Sequence, residues 1–281
     1  MLVPIDGSAL SAGALPTARA LAARFGADVH TINVTSTAAD PAESTAQGRQ
    51  LLGADSTDAR VHVQIGNDPA VAIREQAEAL GSCLVCMATH GRSHVPDALL
   101  GSVTRSVLAS SRAPVVTVGP TCALRDPDHP VPSLSGDVVL ACVDGSEASE
   151  LVLPVAAAWA ESLALRLTIV TVAEPSPPPL RADATWHRHH GPQTDAEEYL
   201  RHLGDQWTGT VASVQTEVIY DPISPSEGIR DYLADHTVAL VAATTHARTG
   251  MSGFIVGSTA AAIAHASTVP VIMVPSPGTS R

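Results

Sequence analysis

Residues 84 to 118 read LVCMATHGRSHVPDALLGSVTRSVLASSRAPVVTV, and residues 240 to 274 read LVAATTHARTGMSGFIVGSTAAAIAHASTVPVIMV. In the first copy an apolar run ends at Thr89-His90-Gly91, Gly101-Ser102 opens a helical pattern, and Pro114 starts a second apolar run. The pattern predicts strand, loop, helix, strand. His90, Gly101, Ser102 and Pro114 return as His246, Gly257, Ser258 and Pro270, each displaced by 156 residues. A repeat that keeps its internal spacing to the residue marks a duplicated domain.

The chemistry of the repeated loop points to an anion. A glycine-bearing loop after a parallel strand lets backbone N–H groups approach a phosphate with no Cβ in the way. Gly101-Ser102 stands where a helix begins, so unpaired N–H donors and the positive end of the helix dipole face the same point. The serine hydroxyl can cap the helix or donate to a phosphate oxygen. A tight turn with an N-cap and no ligand satisfies the same residues.

Outward from the loop, each half follows one plan. A strand over residues 2–5 leads to Asp6-Gly7-Ser8 and a helical pattern with Leu10, Ala14, Leu15, Ala18, Leu21, Ala22 and Phe25 on one face, stopped by Gly26. Its counterpart is a strand over 138–143, then Asp144-Gly145-Ser146 and Leu151, Val155, Trp159 and Leu163. Each helix carries a proline ten residues after the aspartate, Pro16 and Pro154, read here as interior kinks. Strands over 29–34 and 167–172 follow, then 59–65 and 216–220. Helices over 70–80 and up to Ala234 complete the pattern, with a further helix over 195–207.

The expected fold is therefore α/β: two tandem Rossmann-like domains, each a doubly wound, mainly parallel five-stranded sheet. Strands apolar on both faces need helices on both sides. In such sheets ligands sit beyond the carboxyl ends of the strands, where the strand order switches. Asp6, Val34 and the His90–Gly91 turn all lie at such ends. The expected boundaries are 1–119 and 137–281, joined by a Pro-rich linker over 120–136. The short apolar last strand of each half leaves an edge that wants covering, so the halves are expected to pack as a pseudo-twofold dimer. Pairing of these strands within one chain or between chains, as a homodimer, stays open.

Composition narrows the function. The net charge is −12 with no basic cluster, which argues against a nucleic-acid surface. Backbone amides do not enter that count, so an anionic nucleotide still fits. No apolar run reaches membrane-spanning length, and Met1 leads straight into a strand, so the reading expects no membrane association, no signal peptide and a cytoplasmic protein. Cys83 and Cys86 have Cys-x-x-Cys spacing, but on one strand they point to opposite faces and could not share an ion. His187, His189 and His190 fall in an irregular Pro- and His-rich insertion over 174–193, read as a solvated segment rather than a metal site.

These motifs resemble the universal stress protein family in its tandem form, over nearly the whole chain outside the linker and the insertion. That family's nucleotide signature is G-x2-G-x9-G-[ST] after strand 4, with an aspartate after strand 1. Here the copies read Ala88-x2-Gly91-x9-Gly101-Ser102 and Thr244-x2-Ala247-x9-Gly257-Ser258, and the aspartates are Asp6 and Asp144, each in Asp-Gly-Ser-x-x-Ser. The resemblance implies ATP or a related adenine nucleotide in each half, with Mg2+ as its companion. Asp6 and Asp144 would lie beside the ribose and adenine, and Val34 and Val172 would offer backbone groups to the adenine edge. Gly91, Gly101 and Ser102 would hold the phosphates, as would Gly257 and Ser258. Ala88, His90, Arg92 and Val103 complete the first expected set, and Thr244, His246, Arg248 and Thr259 the second.

The departures from the signature are Ala88, Thr244 and Ala247. A Cβ at the second signature position strains the loop if that residue needs positive φ, and is harmless at ordinary φ. Tighter binding in the first half is the expectation. Three functions remain in view: a nucleotide-binding stress regulator, an interaction scaffold with degenerate sites, and a weak ATP hydrolase. Chemistry on the phosphates needs an activated nucleophile or metal-holding carboxylates. Asp97 is the single acid in the first loop and the second loop has none, so no catalytic residue and no protein metal site is assigned.

Overall fold

Leu2 and Val3 are both fully buried, yet they belong to two different cores. Successive side chains of a strand point to opposite faces, so a sheet built from such strands has helices on both sides. The computed structural model describes residues 1–35, 41–52, 60–81, 83–91, 99–123, 134–173, 192–221, 223–245 and 256–276. The first half runs β1 (Leu2–Pro4), α1 (Ala9–Ala12), α2 (Leu15–Phe25), β2 (His30–Thr35), α3 (Pro41–Leu52), β3 (Val61–Ile65), α4 (Pro69–Ala79), β4 (Val85–Ala88), α5 (Ser102–Ser110) and β5 (Val115–Val118). A short helix α6 (Pro120–Ala123) follows. The second half repeats the order as β6 (Val138–Cys142), α7 (Glu147–Glu150), α8 (Val152–Leu163), β7 (Arg166–Ala173), α9 (Pro192–Trp207), β8 (Val214–Tyr220), α10 (Pro225–Asp235), β9 (Leu240–Thr244), α11 (Ser258–Ala266) and β10 (Val271–Val274).

Within each half all strands are parallel, in the orders β3-β2-β1-β4-β5 and β8-β7-β6-β9-β10. The strand order reverses between β1 and β4, and again between β6 and β9. The halves meet through β5 and β10, which pair antiparallel with Val116 opposite Ile272. The result is one sheet of ten strands. The expected pseudo-twofold packing thus takes the form of a strand pair within one chain.

Each face of that sheet carries one core to which both halves contribute. On one side Val3 and Cys86 share a cluster with Ala141 and Ile272, under α2, α8 and α9. On the other, Leu2, Val85 and Met87 join Leu140, Val241 and Met273 under α4, α5, α10 and α11. The pairing of β5 with β10 therefore makes the cores, and not just the sheet, continuous across the boundary.

Two expectations are corrected. Pro16 and Pro154 are not interior kinks: the first helical stretch breaks at Gly13 in one half and at Leu151 in the other, and each proline falls in the first turn of a new helix. Backbone N–H groups there have no intrahelical acceptor, so proline loses nothing. The segment between β2 and β3, expected to be a loop, contains α3, the counterpart of α9. The linker over 120–136 also begins as helix α6. None of the four cysteines forms a disulfide, and burial pushes the Cys86 thiol up. The His-rich stretch over 174–191 lies outside the described residues.

Candidate functional site

A cleft of about 280 Å3 opens in the first half, at the carboxyl ends of β1, β2 and β4 where the strand order reverses. Asp6 enters it from the turn after β1. Gly7 has φ +86°, a left-handed conformation that glycine adopts without penalty, and this folds the chain back on the carboxylate. Asp6 Oδ1 accepts from the Ser8 backbone N–H at 3.0 Å and from Ser8 Oγ at 2.6 Å. The Asp6 N–H in turn donates to Ser11 Oγ at 3.2 Å, which explains the third polar residue of the Asp-Gly-Ser-x-x-Ser pattern. With Oδ1 committed to its own turn, Oδ2 faces Gly91 so closely that a Cβ built on that glycine would lie 2.1 Å from it.

Gly91 is not at positive φ. Its lack of a side chain serves space and not backbone conformation: it lets the Asp6 carboxylate lie against the main chain of the loop. Gly101 likewise has an ordinary φ of −63°, and a Cβ there would press on the Thr89 carbonyl oxygen at 3.2 Å. The Gly101 N–H donates to that same carbonyl at 2.8 Å, closing the loop at its neck.

The start of α5 is where an anion would be held. Gly101 is the N-cap and no side chain caps the helix, whereas α4 and α10 are capped by Asp68 and Ser224. The first intrahelical bond is Arg105 N–H to Gly101 C=O, so the N–H groups of Ser102, Val103 and Thr104 precede any helical acceptor. All three residues line the cleft, and Ser102 is exposed. The Ser102 hydroxyl is thus on the helix and not its cap. Thr104 Oγ1 donates to the Ala88 carbonyl at 3.0 Å, tying α5 to the end of β4. Part of the lining is apolar, from Ile32, Pro69, Ile73 and Met87, and Val34 joins it. Pro69 and Ile73, which begin α4, were missed in the sequence; their repetition as Pro225 and Ile229, again 156 residues on, was the available signal.

The second half builds the same frame. A cleft of about 350 Å3 is lined by Asp144, Val172, Thr244, Gly257, Ser258 and Thr259, with Val170, Pro225 and Ile229 on its apolar wall. Asp144 Oδ1 accepts from Ser146 N–H at 3.0 Å and Ser146 Oγ at 2.5 Å, Gly145 has φ +81°, and Gly257 N–H closes on the Thr245 carbonyl at 2.9 Å. Helix α11 also starts without a side-chain cap. Asp144 is exposed where Asp6 is half-buried, and the tie made by Thr104 has no counterpart because position 260 is alanine.

The structure thus brings together Asp6, Val34, Ala88, His90, Gly91, Gly101, Ser102 and Val103 in one cleft and Asp144, Val172, Thr244, Gly257, Ser258 and Thr259 in the other. Arg92, Asp97, His246, Ala247 and Arg248 lie outside the described residues. A third hollow, of about 600 Å3, opens at the amino-terminal edge of β4 and β5 and holds none of the expected site residues. Among the described residues no group of three or more His, Cys, Asp or Glu is placed to hold a metal ion, and no helix is long and apolar enough to cross a membrane.

Comparison with known proteins agrees with this plan. The model described as the universal stress protein family matches twice, over residues 1–119 and 137–275. A curated universal stress protein of Mycobacterium tuberculosis is 28% identical over 195 residues, which are 68% of this chain and 61% of the relative, so the match spans about three fifths of that protein's length. The crystal structure of a universal stress protein from Archaeoglobus fulgidus covers 100% of this chain and 97% of its own, with a TM-score of 0.65 at 19% identity. A functionally unknown protein from Pseudomonas aeruginosa covers 98% and 92%, with a TM-score of 0.67 at 16% identity. At these identities the two structures speak for the fold.

Proposed function

The chain belongs to the universal stress protein family, and from that premise we propose that it binds an adenine nucleotide, ATP in the first instance, in the cleft of its first half and acts as a nucleotide-responsive regulator of a stress response. The observation that carries the reading is the pairing of two features across one cleft. One is the set of uncapped N–H groups that start α5; the other is an Asp6 carboxylate with one oxygen fixed by Ser8 and the other turned onto Gly91. An anion belongs at the first and a pair of sugar hydroxyls at the second, with the apolar lining from Ile32, Pro69 and Ile73 suited to a base.

Among the described residues, those lining the cleft suit the group. The N–H donors at the start of α5 would take phosphate oxygens, Asp6 Oδ2 would accept from the ribose, and Val34 would meet the base edge. Mg2+, where present, enters as the counter-ion of the triphosphate. Bound nucleotide would join the α5 side of the cleft to the β1 and β2 side and so favour one arrangement of the surfaces around it. Binding, rather than turnover, is the function proposed.

The test is direct. The full chain is equilibrated with ATP, freed of unbound nucleotide by rapid filtration, denatured, and the released small molecules are identified by chromatography and ultraviolet spectrum. The expected result is adenine nucleotide released in proportion to protein. Filtrates empty of nucleotide after equilibration at saturating ATP would overturn the reading.

A further inference from the structure

His90 sits in the loop of the first cleft, and its ring meets a ring from the other half. It is 3% exposed, and its partner in an edge-to-face contact is His265, with ring centroids 5.3 Å apart and planes at 78°. His265 belongs to the last turn of α11, a helix of the second half. The end of that helix is gripped by the first half at a second point: a Cβ on Gly119, just after β5, would lie 2.5 Å from the Ala264 carbonyl oxygen and 2.7 Å from that of His265, so bare main chain packs there. On its other side His90 is tied by Nδ1 to Thr89 Oγ1 at 3.1 Å, and Thr89 offers the carbonyl on which the Gly101 N–H closes the loop.

We propose that His265 is a positioning residue for the first nucleotide cleft: the second half supplies the ring against which His90 rests, and His90 in turn sets Gly91 against Asp6 and holds the neck of the loop. This rests on the nucleotide reading of that cleft. Position 265 of α11 corresponds to position 109 of α5, which is alanine, so no imidazole returns the contact from that place on α5. The duplicated clefts are therefore unequal in a way their signature motifs do not record. The first is completed by a residue from its neighbour, and that residue rides on the same helix whose start, Gly257-Ser258, lines the second cleft.

Removing the ring takes away one edge-to-face pair from a buried imidazole, so the expected loss of affinity is about three- to tenfold. The test uses the full chain as wild type, His265→Ala and His265→Phe. Residue-resolved amide hydrogen exchange is measured without nucleotide, and ATP binding is measured by titration. The proposal predicts faster exchange in His265→Ala at the Thr89 and Gly101 amides, unchanged exchange at the matching Thr245 and Gly257 amides, and weaker ATP binding. Phenylalanine, which keeps the ring, should restore both. Unchanged exchange and affinity in His265→Ala would overturn it. So would acceleration spread equally over both halves, the mark of a general structural role, or failure of phenylalanine to rescue. If the wild type binds no ATP while His265→Ala still loosens Thr89 and Gly101 alone, the nucleotide reading falls and the positioning role stands.

Discussion

The Asp6 carboxylate and the Gly91 α-carbon share a space with no room for a methyl group. At the residue scale this contact decides what the second signature position is for. The sequence marked that position as one where glycine matters, and offered positive φ as the reason. The backbone at Gly91 is ordinary, and the reason is a carboxylate 2.1 Å from where a Cβ would stand. Gly91→Ala should therefore push Asp6 off its seat and weaken ATP binding at the first site by roughly tenfold or more, a loss of about 1.4 kcal/mol, while leaving thermal stability near wild type. Matched titrations check this, and equal affinities would show that Asp6 does not serve the site from that seat. By the duplication, the same logic applies to Ala247 and Asp144, so Ala247→Gly should strengthen the second site. Much of the site was legible at this scale because Gly101 and Ser102 recur 156 residues on and Asp6 recurs as Asp144 in the same Asp-Gly-Ser-x-x-Ser pattern. The space between the Asp6 carboxylate and Gly91 was not, since no spacing reports a distance across a fold.

At the element scale, comparing the two copies is more informative than propensity. Helix α2 ends at Gly26 with φ +60°, and its counterpart α8 ends at Ala164 with φ +55°. A left-handed Cβ costs about 1–2 kcal/mol, partly offset by the greater chain entropy glycine would bring to the unfolded state. Ala164→Gly is thus expected to stabilise the protein by about 0.5–1 kcal/mol, visible as a higher urea midpoint. A lower midpoint would contradict the assignment. Helix α3 was missed because its segment, Pro41–Leu52, is polar and only weakly one-sided. The usable signal was again a paired glycine. Gly48 of α3 and Gly204 of α9 stand 156 residues apart, and a Cβ would strike Val61 at 2.7 Å in one and Thr216 at 2.8 Å in the other. Each lets a helix lie close on an edge strand.

The edge strand β3 also carries a pH response. His62 Nε2 and His30 Nδ1 share a hydrogen bond of 3.0 Å, and burial, with the neighbouring His30 second, lowers the His62 pKa below 6.5. A depressed folded pKa means the unfolded chain binds the proton more readily, so this contribution is full above the unfolded value and is lost as pH falls through the folded one. Melting temperature should fall on acidification below about pH 6.5, and less steeply in His62→Gln. Parallel slopes in the two proteins would remove His62 from the account.

At the scale of the whole molecule, the duplication was plain from the sequence but the junction was not. Strands β5 and β10 are apolar on both faces, which is the pattern of any central strand and does not name a neighbour. The structure pairs them antiparallel and runs two cores through the join, so each half covers the other's edge. Two clefts then sit in one framework, with His265 linking the second half to the loop of the first. The functional reading turns on the first cleft taking an adenine nucleotide. Calorimetric titration of ATP into the nucleotide-free full chain, wild type beside Asp6→Asn, tests that reading most directly. Asparagine keeps the Oδ1 acceptor that Ser8 uses and replaces only the charged oxygen facing Gly91. The account predicts saturable binding in the wild type, weakened about tenfold or more in the variant by loss of a charge-assisted hydrogen bond. No saturable heat in the wild type, or superimposable isotherms for the two proteins, would contradict it.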